Sequence, residues 1–182
     1  MLVQTFILFL ICLSSIFIFK AESLLASGNA DQCRVLVDEL LLHSPTCALV
    51  HLVAGKLEAS CNRAEGASWH ALMALRYSEQ NEAFDRRVHD EIIDPAFASA
   101  DRATTRHLLH GLSAGLNGKL EDALGCFRKS LAEAKLREER IRALQFLVLT
   151  ALELQSFEAA LGYVNELVEY DAVREKEREI IF

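Results

Sequence analysis

The sequence predicts an all-α fold, an α-solenoid of about four antiparallel helix pairs, and three observations lead to this prediction. Only two of the 182 residues are proline and eight are glycine, too few for a fold of many short strands. Hydrophobic residues make up 52% of the chain, too many for a disordered protein. Similar segments also recur along the chain, first at an interval of 34 residues, as stacked helix pairs do.

The first two copies of this segment lie near the N-terminus. In copy one, a helix ends at Gly28 and a second helix runs from about Asp31 to Ser44, where Pro45 stops it. In copy two, Gly55 takes the place of Ala21. On this register the following residues of copies one and two correspond: Gly28 and Asn62, Cys33 and Ala67, Val37 and Ala71, Leu40 and Ala74.

The third copy is the clearest and the fourth is degenerate. Copy three has a helix stop at Asn117, Gly118 and Lys119. The residues of copy three that match the earlier copies are Gly111, Gly118, Ala123 and Phe127. Copy four has Gln155 at the turn, and its matching residues are Ala151, Ala160, Val164 and Leu167.

These residues resemble the tetratricopeptide repeat (TPR) family of helix–turn–helix units about 34 residues long. The resemblance depends on Gly28, Cys33, Pro45, Gly55, Ala67, Ala74, Gly111, Gly118, Ala123, Phe127 and Ala160. It implies a right-handed solenoid with two TPR-like repeats in residues 14–79 and two in residues 105–171. It departs from the family early in the first helices, where copies two to four have His51, His107 and Leu144 in place of an aromatic residue.

Two further segments lie outside the four copies. Residues 80–104 form an extra segment, in which Phe84, Val88 and Ile92 are spaced as on one face of a helix over residues 81–94, stopped near Pro95. Residues 172–182 are predicted to be a charged capping segment for the last repeat.

The N-terminal segment is the best candidate for membrane attachment. Residues 2–19 contain no charge, and 18 helical residues reach about 27 Å, enough for the hydrocarbon core of a thin bilayer. We expect a single-pass anchor, with the repeats on the cytoplasmic side because Lys20 follows the apolar run and no basic residue precedes it. A signal peptide cleaved near Gly28 or Ala30, giving a secreted or lumenal protein, and a buried first helix are the alternatives.

Charge and side-chain chemistry exclude several function classes. The chain has 26 acidic and 19 basic residues, a net charge of −7, so we expect no nucleic-acid partner. His107 and His110 could face one metal ion, but no further ligand is suitably spaced. Cys126 lies in an acidic, amphipathic stretch that does not suit a nucleophile. We therefore expect a non-catalytic protein with no cofactor, no metal and no small-molecule substrate.

Two cysteines and two histidines of the first repeats are also candidate metal ligands. Cys47, His51, Cys61 and His70 could in principle form a zinc site, but their spacings match no zinc pattern and the repeat register separates them. The cysteines of the repeats are interpreted as small buried hydrophobic residues, and the redox compartment stays open.

The resemblance implies a concave groove lined by the first helix of each repeat. The groove residues that it implies here are Leu49, Leu52, Lys56, Leu108, Leu112, Leu116, Arg142, Leu149 and Leu152. Such a leucine-rich stripe suits an apolar or amphipathic segment of a protein partner. Packing of the stripe against the extra helix or the C-terminal helix of the same chain is the alternative.

The leading function hypothesis is therefore a membrane-anchored TPR-like adaptor or scaffold that binds a protein partner. The alternatives are a structural or assembly subunit of a larger membrane protein complex, and a secreted or lumenal binding protein after signal cleavage.

Overall fold

The structure, a computed structural model, describes residues 15–78 and 81–181, and this part of the chain contains helices and no strand. The described residues divide between two compact units, one that ends at Ser99 (unit 1) and one that begins at Ala100 (unit 2). The helices of unit 1 are α1 (residues 15–26), α2 (Ala30–His43), α3 (Ala48–Ser60), α4 (Ala64–Tyr77), α5 (Glu82–Val88), a π-helical turn (His89–Ile93) and α6 (Asp94–Ser99). Those of unit 2 are α7 (Ala103–Leu116), α8 (Leu120–Glu133), α9 (Arg137–Glu153) and α10 (Phe157–Ile181). The predicted all-α class is confirmed for these residues.

Each predicted repeat contains the same turn. The turn residues have left-handed backbone conformations: Gly28 (φ 77°), Asn62 (57°), Gly118 (71°) and Gln155 (56°). In copy three the Lys119 amide donates to the Ala114 carbonyl at 3.0 Å, and the Gly118 amide donates to the Gly115 carbonyl at 2.9 Å. This is the Schellman motif, and the other three turns have both hydrogen bonds at the same offsets. Gln155 therefore adopts the conformation that glycine supplies in copies one and three.

The second helix of each pair follows the predicted register. The residues five positions after the turn residues are buried: Cys33, Ala67, Ala123 and Ala160. In unit 2, the close approach of α7 and α8 depends on Gly111, because a methyl group there would overlap the ring of Phe127. These small residues allow the two helices of a pair to pack closely.

The alignment of copy four needs one correction. Ala21, Gly55 and Gly111 each lie seven residues before their turn residue, whereas Ala151 lies four before Gln155. Val148 is the residue at the equivalent distance from Gln155. Ala151 is nevertheless fully buried, because its position also faces the interior of unit 2.

The described part of the extra segment is helical from Glu82 to Ser99 and so continues past Pro95. The Asp94 amide donates to the His89 carbonyl, five residues back, which makes one π-helical turn. Pro95 then lies in the first turn of α6, where the missing proline N–H is tolerated. This local geometry explains why Pro95 does not end the helix near residue 94.

Helix α1 joins the predicted anchor to the first repeat. Ile18 and Ala21 are buried in the core of unit 1 together with Val37 and Leu40 of α2. Residues 1–14, the larger part of the predicted anchor, lie outside the described residues. Among residues 15–78 and 81–181, no helix combines the length and the apolar character needed to cross a bilayer.

The C-terminal segment does not start a new helix. Helix α10 continues from the fourth repeat through residues 172–181 without a break. The predicted capping segment is thus an extension of the last repeat helix over its described residues.

Candidate functional site

Three of the nine predicted groove residues lie in the interior of their units. Leu52 is fully buried, and Leu108 and Leu112 are each 3% exposed. A pattern of leucines does not distinguish a helix face that meets another helix from one that meets a ligand. These three residues therefore contribute to packing within unit 1 or unit 2 rather than to an accessible surface.

Four other predicted groove leucines remain accessible. Leu49 on α3 is 42% exposed, and Leu152 on α9 is 40% exposed. Leu116 on α7 and Leu149 on α9 are half-buried. Helices α7 and α9 contact each other in unit 2. We call Leu116, Leu149 and Leu152 the unit 2 leucine surface.

Lys56 belongs to an ion-pair network within unit 1. Its Nζ lies 2.7 Å from Glu91 Oε2 and 3.7 Å from Glu22 Oε1. Arg87 contacts the same two carboxylates, at 2.8 Å for Glu91 and 3.5 Å for Glu22. The network connects α1, α3, α5 and the π-helical turn, so the Lys56 ammonium is neutralised by its own unit.

The extra segment reaches Lys56 because the neighbouring position is a glycine. A methyl group at Gly55 would come within 2.5 Å of Ile92 Cδ1, so only glycine allows this approach without rearrangement. Burial alone would raise the pKa of Glu91, but the hydrogen bonds from Arg87 and Lys56 lower it below its ordinary value. In unit 1, the extra segment therefore covers part of the face that the resemblance assigns to a ligand.

Arg142, the remaining predicted groove residue, is half-buried in α9. Nearby in unit 2, Arg102 pairs with Glu139 at 2.8 Å. Burial would raise the pKa of Glu139, but hydrogen bonds from the Leu136 and Lys135 amides and from Arg102 lower it. This carboxylate caps the start of α9 and has a structural role.

Two histidines that the repeat register appeared to separate are in contact. His51 on α3 and His70 on α4 approach to 3.0 Å between their Nδ1 atoms. His51 Nε2 lies 2.9 Å from the Pro45 carbonyl, which can only accept, so Nε2 carries the hydrogen. The Nδ1 atom of neutral His51 then accepts a hydrogen bond from His70. Burial lowers the pKa of His51, although the bond to Pro45 opposes this effect.

The predicted absence of a zinc site at these histidines stays a prediction. In the described part of the chain, the one group of three potential ligands is His89, Asp90 and Asp94. The π-helical turn brings Asp94 beside His89, with 3.6 Å between Asp94 Oδ1 and His89 Nδ1. The Asp90 and Asp94 side chains are 66% and 63% exposed. Exposed acidic groups of this kind are stabilised by water and need no metal.

The described cysteines are free thiols. Cys33 is fully buried and donates to the Ala21 carbonyl at 3.3 Å, and burial raises the pKa of its thiol. Cys126, considered above as a nucleophile, is half-buried in α8. His107 Nε2 lies 3.4 Å from Glu133 Oε1, and His110 is exposed.

Comparisons with known proteins identify no family. No protein-family model matches the chain, and no curated protein matches it significantly. A solved structure titled MamA RS-1 ArsTM double mutant is 14% identical, with a TM-score of 0.41, and the alignment covers 90% of this chain and 97% of that one. A structure of PilF from Pseudomonas aeruginosa is 15% identical, with a TM-score of 0.37, and covers 86% of this chain and 76% of that one. At these values neither alignment assigns a family or a partner.

The sequence analysis did not identify one exposed apolar stripe that the structure describes. It lies on α10 and consists of Phe157, Leu161, Val164 and Val168, which are 66%, 61%, 38% and 59% exposed. We call these four residues the terminal stripe. Their spacing of four, three and four residues places them on one helix face, and this spacing was the available signal.

Proposed function

We propose that this chain is a non-catalytic adaptor or scaffold of TPR-like helix pairs. It binds a protein partner through an apolar or amphipathic segment of that partner. The observation that supports this proposal most is the unit 2 leucine surface, because apolar side chains on the first helices of two successive pairs remain accessible. An apolar surface of this kind favours a protein ligand over a charged small molecule or a nucleic acid.

The proposal includes membrane attachment through residues 2–19 and a right-handed solenoid with its repeats in the cytoplasm. The uncharged N-terminal run supports attachment. Packing of Ile18 and Ala21 into the core of unit 1 favours retention of the segment. Cleavage after Ala30 would remove α1 and expose Val37 and Leu40, at a cost of about 1.5–3 kcal/mol for each large side chain.

The adaptor proposal is tested on the unit 2 leucine surface. We expect Leu152→Glu to reduce recovery of partner proteins from solubilised membranes, because a carboxylate cannot enter an apolar contact without a large desolvation cost. Leu42→Glu is the matched control, since Leu42 is 78% exposed on α2 and belongs to unit 1. Unchanged recovery by Leu152→Glu, with unchanged circular dichroism, would contradict the proposal.

Attachment is tested by the intact mass of the native protein in alkali-washed membranes. We expect a mass near 20.3 kDa in the membrane pellet. A species lighter by about 3 kDa in the soluble fraction would instead support the secreted or lumenal alternative.

A second candidate function is a structural or assembly subunit of a larger complex. The terminal stripe favours it, because four apolar side chains on one face of α10 are exposed in the described structure, and such a face suits a permanent protein contact. A permanent subunit should be degraded or aggregate when expressed without its complex, whereas an adaptor should accumulate alone.

A further inference from the structure

The terminal stripe has an exact counterpart in register on α8. The turn residue Gln155 follows the turn residue Gly118 by 37 positions. The residues 37 positions before the stripe are Leu120, Leu124, Phe127 and Leu131. Leu124 and Phe127 are 5% and 2% exposed. Helix α9 packs beside α8, and its Phe146 meets Phe127 edge to face with ring centroids 5.1 Å apart. In α8, therefore, the first helix of the next pair covers this face.

The same face is covered in the second helices of unit 1. Val37 on α2 and Ala71 on α4 hold the position equivalent to Phe127, and they are 3% and 0% exposed. In α10 the equivalent residue is Val164, at 38%. Among the four helices at this register in the described structure, α10 is the one whose face is exposed to solvent.

Helix α1 presents the complementary face. Ile16 and Phe19 on α1 hold the positions of Val50 and Val53 on α3. In α3 these residues are 0% and 1% exposed and pack in the core that includes α2. In α1 they are 62% and 74% exposed. Phe19 also holds the position of Phe146 on α9, because each lies nine residues before its turn residue.

Charge distinguishes between the possible pairings of these faces. The terminal stripe is flanked by exposed Glu158 and Glu169, and no basic residue lies between Phe157 and Tyr170. The α1 face has exposed Lys20 next to Phe19, and the following charge on α1, Glu22, pairs with Lys56 and Arg87 of its own unit. Contact of two α10 helices would bring like charges together, as would contact of two α1 helices. Contact of α1 with α10 pairs opposite charges.

We propose that this chain associates head to tail, with α1 of one copy packed on the terminal stripe of the next. Ile16 and Phe19 then occupy on α10 the place that Ala143 and Phe146 of α9 occupy on α8. The contact is heterologous, so it produces an open filament or a closed ring rather than a symmetric dimer. This inference goes beyond the proposed function and uses surfaces other than the unit 2 leucine surface. It competes with a bilayer position for Ile16 and Phe19, which lie within the predicted anchor of residues 2–19.

The test is cysteine cross-linking of the full chain in isolated membranes. The double variant Phe19→Cys with Val164→Cys places thiols at the positions equivalent to Phe146 and Phe127, which are in contact. With a short bismaleimide, we expect a ladder of species at multiples of 20.3 kDa. A mixture of the two single variants should give only the dimer. The unsubstituted chain measures the background from its native cysteines.

Control variants separate the proposed contact from other occupants of these faces. Leu42→Cys with Val164→Cys should give no ladder, because Leu42 is exposed but lies outside both faces. Leu161→Glu, added to the cross-linking pair, should abolish the ladder, and its circular dichroism should be unchanged because Leu161 is 61% exposed. Leu152→Glu should retain the ladder, so that failure of the adaptor proposal and failure of this one are distinguishable.

Three results would overturn the proposal. One is no product above background from the double variant, as expected if lipid or a different protein covers α1. Another is an equally strong dimer from Val164→Cys alone, which would indicate contact between two α10 helices. A third is an equally strong ladder from the Leu42→Cys control, which would indicate non-specific collision.

Discussion

Helices α8 and α10 are the second helices of consecutive pairs in unit 2, and they differ in what lies beside them. Leu124 and Phe127 of α8 are 5% and 2% exposed, whereas the equivalent Leu161 and Val164 of α10 are 61% and 38% exposed. Both sets have the same spacing along the helix. This apolar face therefore contributes to stability on α8, where α9 covers it, and is available for binding on α10, where no described helix covers it.

The largest expected effect comes from shortening one apolar side chain on this face of α8, whereas the equivalent change on α10 should have a small effect. We expect Phe127→Ala to lower the free energy of unfolding by about 3–5 kcal/mol, because it leaves a cavity against Phe146 and Gly111. Val164→Ala should cost about 0.5 kcal/mol or less, because its side chain is already partly in water. Chemical denaturation followed by circular dichroism measures both. Similar losses for the two variants would contradict this difference between α8 and α10.

A smaller loss is expected from adding one methyl group on α7 where it meets Phe127 of α8. Gly111→Ala should destabilise unit 2 by about 1–3 kcal/mol, because the new methyl would overlap the Phe127 ring. Thermal unfolding of the variant checks this. Combining it with Phe127→Leu should recover part of the loss, and no recovery would mean that the Gly111 effect has another origin.

A similar contrast in exposure appears in the first helices of the pairs. His51 on α3 is 6% exposed, whereas the equivalent Phe17 on α1 is 41% exposed.

Burial lowers the pKa of His51 below its ordinary value of 6.5, so the unfolded chain binds a proton more readily than the folded chain does. Stability should therefore be complete above pH 6.5 and fall as the pH decreases, with a slope of up to about 1.4 kcal/mol per pH unit. Denaturation at several pH values measures the slope. His51→Gln should remove this component, and an unchanged slope in that variant would argue against it.

The smallest effect should be the same in both helices. Gly125 of α8 and Gly162 of α10 are equivalent, and a Cβ at either would meet nothing within 4 Å. Alanine at either position should stabilise the chain by about 0.5–1 kcal/mol, because it reduces the entropy lost on helix formation. Equal gains by thermal unfolding would show that α8 and α10 differ in their neighbours and not in backbone propensity.

Much of the fold could be predicted because its signals are local. The turns at Gly28 and Gly118 follow from the φ preference of glycine, and the interval of 34 residues extends them to Asn62. The end of the extra segment could not be predicted from Pro95, because the π-helical turn that accommodates it depends on packing around Ile92 and Ile93.

The candidate site was less predictable because its signals are not local. Leu112 and Leu149 hold equivalent positions before their turns, yet Leu112 is buried and Leu149 is half-buried. The terminal stripe has the same spacing as its counterpart on α8, so only the identity of the next packed helix distinguishes them. Pattern alone contains no information about that neighbour.

The most direct test of this account is thiol labelling of Leu124→Cys and Leu161→Cys in the full chain over a range of protein concentrations, with each site followed by peptide mass spectrometry. We predict that position 124 is protected at every concentration, because α9 covers it within the same chain. Position 161 should react rapidly in dilute protein and become protected as the concentration rises. Equal protection of both positions in dilute protein would contradict the account, since it would mean that the chain itself covers the terminal stripe.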